Sequence, residues 1–306
     1  EEAALDIERL IALRDENDRD VLVFRRADDA PHRLRLKIFR LGQIIPLSEC
    51  VPVLEHLGLK VIEEYPFDLA EGRLGWIHDF LLEDPNGQPL DIDWLKATLE
   101  PALRAILGGE QEDDGFNALV IKTNLSVEQA GLFRAYFRYM RQIGMPYGQD
   151  TVQAALVAYP QLTVALAELF TARFDPERAD SKLEEAVLAR IGEELAKVEA
   201  LADDRILRLY RAVILATVRT NAYQPEREAL AFKIDSSKVP GLPLPIPFRE
   251  IFVYSPRVEG IHLRGGKVAR GGLRWSDRRD DFRTEVLSLL KAQMVKNAVI
   301  VPVGAK

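Results

Sequence analysis

Cysteine is nearly absent from this chain. Cys50 stands alone among 306 residues, which excludes an internal disulfide and suits a reducing cytosol. Histidine is scarce too: His32, His56, His78 and His262 are scattered without metal-ligand spacing, so no metal site is expected and each reads as a core or surface residue. No uninterrupted apolar run is long enough to span a bilayer, and no signal-peptide pattern opens the chain. Basic residues do not dominate. With 41 Lys and Arg against 48 Asp and Glu, the net charge of -7 argues against a general nucleic-acid or acidic-membrane binder. No Gly-x-Gly-x-x-Gly follows a strand pattern, so a dinucleotide-binding half is not expected within these residues. Internal repeats and low-complexity tracts are absent as well. A start at Glu1 without methionine, and an end inside a motif, read as a piece of something longer.

What is present supports two or three buried cores, since 47% of the residues are hydrophobic. An opening helix over residues 2–13 leads to a short apolar run at 21–24. Residues 33–39 then alternate strictly, with Leu34, Leu36 and Ile38 on one face and Arg33, Arg35 and Lys37 on the other, which predicts a half-buried strand. Ser48 is placed to cap a helix with Val51, Leu54 and Leu57 inward, closed by Gly58, and Cys50 packs on its inner side. Strands follow at 59–65 and 75–83, then a helix at 93–107 ending on Gly108-Gly109. This β-α-β-β-α order resembles a ferredoxin-like sandwich of the kind seen in ACT amino-acid-sensing modules.

From Ser126 the period becomes helical. Ser126 and Gln129 form a capping box, and Leu132, Phe133, Tyr136, Phe137 and Met140 make one apolar face. Arg134, Arg138 and Arg141 fall on another face, predicted to meet solvent or a partner. Further helices are predicted at 149–158, 162–174, 181–202 and 204–223, with Glu193 spaced to pair with Lys197. A Pro-rich connector at 239–248 separates a strand at 229–234 from strands at 250–254 and 260–264, and should cross at an exposed edge. The fold class expected is α/β (α+β), in three parts: residues 1–115, a helical region at 116–227, and an α/β start at 228–306.

The last forty residues concentrate the chemistry. Two glycine pairs, Gly265-Gly266 and Gly271-Gly272, permit close backbone approach to a small ligand. Arg270, Arg274, Lys291, Lys296 and Lys306 lie near them in sequence, a set suited to carboxylates. The two Arg-Gly-Gly triplets also suggest RNA binding, but such tracts belong to disordered basic sequence, whereas these interrupt apolar strands in an acidic chain. Lys291, five residues before Lys296, is off that lysine's helical face and reads as solvated. Residues 276–281 read as turn and capping chemistry.

Arg270-Gly-Gly-Leu-Arg-Trp275, then Glu285-Val286, Lys296, the apolar run 298–301 and the Pro302–Lys306 loop resemble the substrate-binding segment of glutamate dehydrogenases. The likeness is greatest to the large NAD-specific bacterial type, through Arg270, the single glycine of the last loop, and the runs at 251–257 and 274–278. The resemblance implies reversible oxidative deamination of L-glutamate to 2-oxoglutarate and ammonia with NAD as cofactor. Lys306 would be the catalytic acid–base for water, Lys296 would hold the α-carboxylate and Arg270 the distal one, with Gly271 and Gly272 leaving room for the substrate. It implies a cytoplasmic homo-oligomer with a Rossmann domain beyond these residues, and ACT-like modules ahead of the catalytic region. A portion of this kind is expected to be inactive alone. Two alternatives stand beside it: a regulatory, amino-acid-sensing and assembly portion without catalysis of its own, and a related amino-acid dehydrogenase whose monocarboxylate substrate would not need Arg270.

Overall fold

The computed structural model describes residues 2–71, 73–267 and 275–296, the side chains of Val295 and Lys296 excepted. The chain divides into two compact units, Glu1–Gly131 and Leu132–Lys306.

The first unit runs α1 (Glu2–Ala12), β1 (Asp20–Phe24), β2 (Arg33–Arg40), α2 (Leu47–His56), β3 (Lys60–Leu69), β4 (Gly75–Glu83), α3 (Ile92–Leu107) and α4 (Ala118–Lys122). Its sheet is antiparallel throughout, in the order β1-β2-β4-β3. Elements β2 to α3 are the predicted β-α-β-β-α. The strand that ends a βαββαβ ferredoxin-like order is here supplied ahead of it by β1, which takes the edge beside β2. The apolar run 21–24 has that role because Val21 and Val23 are fully buried, and α3 packs against it.

The alternation of β2 holds only in part. Leu34, Leu36 and Ile38 are buried as expected, but Lys37 is buried on the supposedly polar face. The reason is α1, which crosses that face: its Glu2 and Asp6 accept bonds from Lys37 Nζ at 2.7 and 2.6 Å, and Leu10 packs with Phe39 and Ile77. Ser48 is not the cap of α2, which starts one residue earlier, after Pro46 and without a side-chain cap. Asp91 caps α3, accepting from the Trp94 amide at 3.1 Å. Cys50 is fully buried, and burial pushes its thiol up to about 11.

Helix α5 (Val127–Gln142) opens with the predicted capping box: the Ser126 amide donates to Gln129 Oε1 at 3.0 Å and the Gln129 amide to Ser126 Oγ at 3.3 Å. Within the second unit, α5 is buried nearly all round. The expected face of Leu132, Phe133, Tyr136, Phe137 and Met140 is inward, but Arg134 and Tyr139 are fully buried too, which corrects the solvated reading of Arg134. It is followed by α6 (Gln149–Ala158), α7 (Pro160–Phe174), α8 (Ser181–Leu195) and α9 (Leu201–Ala216), of which α7 and α9 meet α5 through Phe170 against Tyr136 and Tyr210 against Phe133. Helix α8 stops short of the predicted end, and Lys197 pairs with Glu194 at 2.5 Å, not with Glu193.

A second antiparallel sheet follows, β5 (Thr217–Thr220), β6 (Leu230–Ile234), β7 (Arg249–Tyr254) and β8 (Glu259–Arg264), each strand beside the next. Residues 217–220 were expected to be helical. They are a strand because Thr217 and Thr220 pair with Ile234 and Phe232, while Thr217 Oγ1 bonds to the Val213 carbonyl and the Tyr136 hydroxyl. The Pro-rich connector crosses from β6 to β7 with Leu244 exposed and Leu242 turned into the core. Helix α10 (Phe282–Lys296) closes the described part, and no single helix among the described residues is long and apolar enough to cross a membrane.

Candidate functional site

The second unit builds a platform for α10 from the residues of α5 and the sheet. Tyr136 stacks on Phe232 of β6, ring centroids 4.2 Å apart at 9°, and Tyr139 tilts against Phe252 of β7 at 5.7 Å. Strand β7 alternates, with Glu250, Phe252 and Tyr254 inward. Two of those inward positions are aromatic. The third is a carboxylate with no exposed area, which requires a partner of opposite charge.

That partner is Arg283 in the first turn of α10. Its Nε and Nη2 donate to Glu250 Oε2 and Oε1 at 2.8 and 2.7 Å, a bidentate pair, and the Tyr139 hydroxyl reaches Oε2 at 3.5 Å. Gln142, the last residue of α5, holds the same helix by its backbone. Its Oε1 accepts from the Arg283 amide at 3.0 Å, and its Nε2 donates to the Arg279 carbonyl at 2.9 Å. The Arg283 amide is one of the orphan donors of a helix N-terminus, so Gln142 acts as its cap from outside. Burial and the neighbouring Glu250 carboxylate hold the Tyr139 hydroxyl well above its ordinary range, so it stays protonated and able to donate. One turn on, Leu287 and Leu290 pack with Leu263 of β8, and Val286 and Met294 extend the contact to Ile261. Ser276, ahead of the helix, donates to Glu285 Oε2 at 2.7 Å. The start of α10 is thereby pinned in rotation and along its axis, and its far end carries Lys296.

Of the sequence-predicted site residues, Arg270, Gly271, Gly272 and Lys306 lie outside the described residues. Lys296 ends α10, with only its backbone described. Lys291 is exposed on the same helix, in agreement with the solvated reading. The sequence reading missed Glu250, Arg283, Tyr139 and Gln142. A signal existed for Glu250: a charge at an inward position of an alternating strand. No comparable local signal marks Arg283, which stands in the first turn of α10 just after a run of charged residues.

His262 lies on β8, where burial and then Arg264 lower its pKa, so it is neutral at neutral pH. Among the described residues, no group of three or more His, Cys, Asp or Glu could hold a metal ion. Both described sheets are antiparallel throughout.

Three family models match the chain. Residues 190–306 match one described as the catalytic domain of bacterial NAD-glutamate dehydrogenase, residues 111–176 match helical motif 3 of glutamate dehydrogenase, and residues 18–95 match its ACT3 domain. Among curated proteins, the chain is 47% identical over 291 residues to an NAD-specific glutamate dehydrogenase of Halomonas elongata, covering 93% of this chain and 18% of the relative. Relatives of the same name from Pseudomonas aeruginosa and Mycobacterium tuberculosis are 44% and 43% identical over 320 and 288 residues. They cover 99% and 89% of this chain, and 20% and 18% of their own lengths. The chain thus spans about a fifth of the length of the curated relatives it matches.

Proposed function

Because the chain belongs to the bacterial NAD-specific glutamate dehydrogenase family, we propose that it supplies part of the substrate site for NAD-dependent oxidative deamination of L-glutamate to 2-oxoglutarate and ammonia. The observation that carries this reading is the catalytic-domain match over residues 190–306, which contains the whole motif from Arg270 to Lys306. In this reading Lys296 and Arg270 hold the two carboxylates. A dicarboxylate needs two separated cationic anchors, and arginine offers a forked donor where lysine offers a point charge. Gly271 and Gly272 leave space beside the substrate, where a larger side chain would intrude. Lys306 exchanges a proton with the attacking water, a task that a lysine performs at neutral pH only where desolvation or neighbouring cations lower its pKa. The platform under α10 supports this reading, because a fixed helix start sets where its final lysine stands. The nucleotide's part in the reaction is assigned to none of the described residues.

The division proposed is an ACT-like module at 1–115, a helical region at 116–227, and the start of the substrate domain at 228–306. The first module has a reading of its own, as an amino-acid-sensing and assembly element, favoured by the match to an ACT3 domain over residues 18–95. Free amino acids binding to residues 30–110 in heteronuclear NMR would support it. We place the enzyme in the cytoplasm as a homo-oligomer, with a single buried thiol and exposed Tyr65 and Phe67 on edge strand β3 in support.

The test is glutamate oxidation with NAD by the full-length protein and by its Lys296→Ala variant. Activity in the parent, with a loss of at least about a hundredfold in kcat/KM in the variant, is expected from removing a charge-assisted anchor. A full-length protein without glutamate activity on NAD overturns the reading.

A further inference from the structure

At the end of α10 opposite Lys296, a cleft of about 200 Å³ opens between α5, the start of α6 and the loop entering α10. Three arginines line it: Arg138 and Arg141 from α5, and Arg279 from the loop. The two on α5 are three residues apart, so they share a side of the helix. Arg279 is brought to them by the Gln142 side chain, which holds its carbonyl at 2.9 Å.

The charges here do not cancel. Glu259 stands 3.6 Å from Arg138, and Asp280 lies at the lining. Arg278 is engaged elsewhere, with Asp281. Among the described residues, no carboxylate lies within ion-pair distance of Arg141 or Arg279. A second feature converges on the same space. Helix α6 starts at the cleft with Gly148 as its N-cap, which offers no side-chain acceptor, so the first-turn amides meet the cleft at the positive end of the helix dipole. Asp150, the acidic residue of that turn, does not line the cleft.

We propose that this cleft is a binding site for a small oxyanion, a phosphate or a carboxylate, held by Arg141, Arg279 and the N-terminus of α6, with Arg138 completing the positive lining. Guanidinium forks and uncapped helix amides both donate to oxygen in the geometry such anions accept. The volume is below the roughly 300–1,000 Å³ of sites for larger organic ligands, so the occupant is an ion-sized molecule and not a nucleotide. The cleft lies about 20 Å from Lys296, the length of α10 at 1.5 Å per residue. An anion here clamps α5, α6 and the entry to α10 to one another. It therefore acts on the same helix start that Gln142 and Glu250 hold.

The test is calorimetric titration of the full-length protein with inorganic phosphate and, separately, with succinate, at ionic strength matched by chloride. We expect saturable binding of at least one of them, weakened at least about tenfold in the Arg141→Ala/Arg279→Ala double variant. Arg257→Ala, which removes an exposed arginine elsewhere, should bind as the parent does. Binding of phosphate or of succinate that the Arg141→Ala/Arg279→Ala variant weakens supports the site and identifies which oxyanion it takes, whereas succinate binding that this variant leaves unchanged does not belong to the cleft and counts against it. The Arg141→Lys/Arg279→Lys variant keeps charge and fold while losing the forks, and should bind with intermediate strength. No saturable heat with either anion, or an unchanged affinity in both double variants, overturns the proposal. Because the readout is the binding lost with Arg141 and Arg279, which the substrate reading does not use, the outcome is independent of whether glutamate is the substrate.

Discussion

Glu250 on β7 and Arg283 on α10, thirty-three residues apart, form a bidentate ion pair in which the two side chains are 0% and 1% exposed. Two charges taken fully out of water are tolerated only because each satisfies the other and Tyr139 and Gln142 satisfy what surrounds them.

Removing one partner should therefore cost much more than removing both. Arg283→Met is expected to destabilise the protein by about 3–5 kcal/mol, because it strands the Glu250 carboxylate in the core. The Glu250→Leu/Arg283→Met pair should recover a large part of that loss. Denaturant unfolding of the two single variants and the double variant reads the coupling directly. Additive effects would mean that the pair does not act as a unit.

Asp84 gives a pH dependence with a definite sign. Burial by itself raises its carboxyl, but the Lys122 ammonium and the amides of Asn86 and Gln88 outweigh that and hold it below the usual carboxylate range. A folded-state value below the unfolded one means that the stabilisation is present above the unfolded value of about 4, and is lost as pH falls through the lower, folded one. Asp84→Asn, which keeps an acceptor but loses the ion pair, should cost about 1–2 kcal/mol at neutral pH. The difference from the parent should vanish in strongly acidic buffer. A difference that stays constant from neutral to strongly acidic pH would refute the assignment.

Gly75 opens β4 at a φ of +119°, and a Cβ built there would lie 2.5 Å from the Arg40 carbonyl oxygen. Both the backbone conformation and the space require glycine, and the blocking atom is backbone that cannot swing away. Gly75→Ala is expected to lower stability by roughly 2–3 kcal/mol. Gly87→Ala provides the comparison, since Gly87 has a φ of +70° but open space around its Cα, and should cost only about 1 kcal/mol. Equal melting temperatures for the two variants would contradict the steric part of the argument.

Local signals carried much of this protein. The capping box at Ser126 and Gln129 formed as its spacing dictates, because both partners lie within one helical turn and need nothing from elsewhere. Strands β6, β7 and β8 and the β-α-β-β-α order were legible for the same reason: period and breakers are properties of neighbouring residues. The run from Arg270 to Lys306 resembles a family motif by its residue order, and Arg270, Gly271, Gly272 and Lys306 lie outside the described residues.

Long-range contacts decided the rest. Lys37 has the sequence position of a solvated strand residue, yet α1 lies over it and supplies two carboxylates. Residues 217–220 continue a helical pattern by composition, yet pairing with β6 makes them a strand. Glu250 and Arg283 carry no shared local signature, and only the packing of α10 against β7 brings them into contact. Periodicity specifies which face of an element is apolar. It does not specify which other element will cover that face, and the desolvation created by that covering determines whether a charge must find a partner.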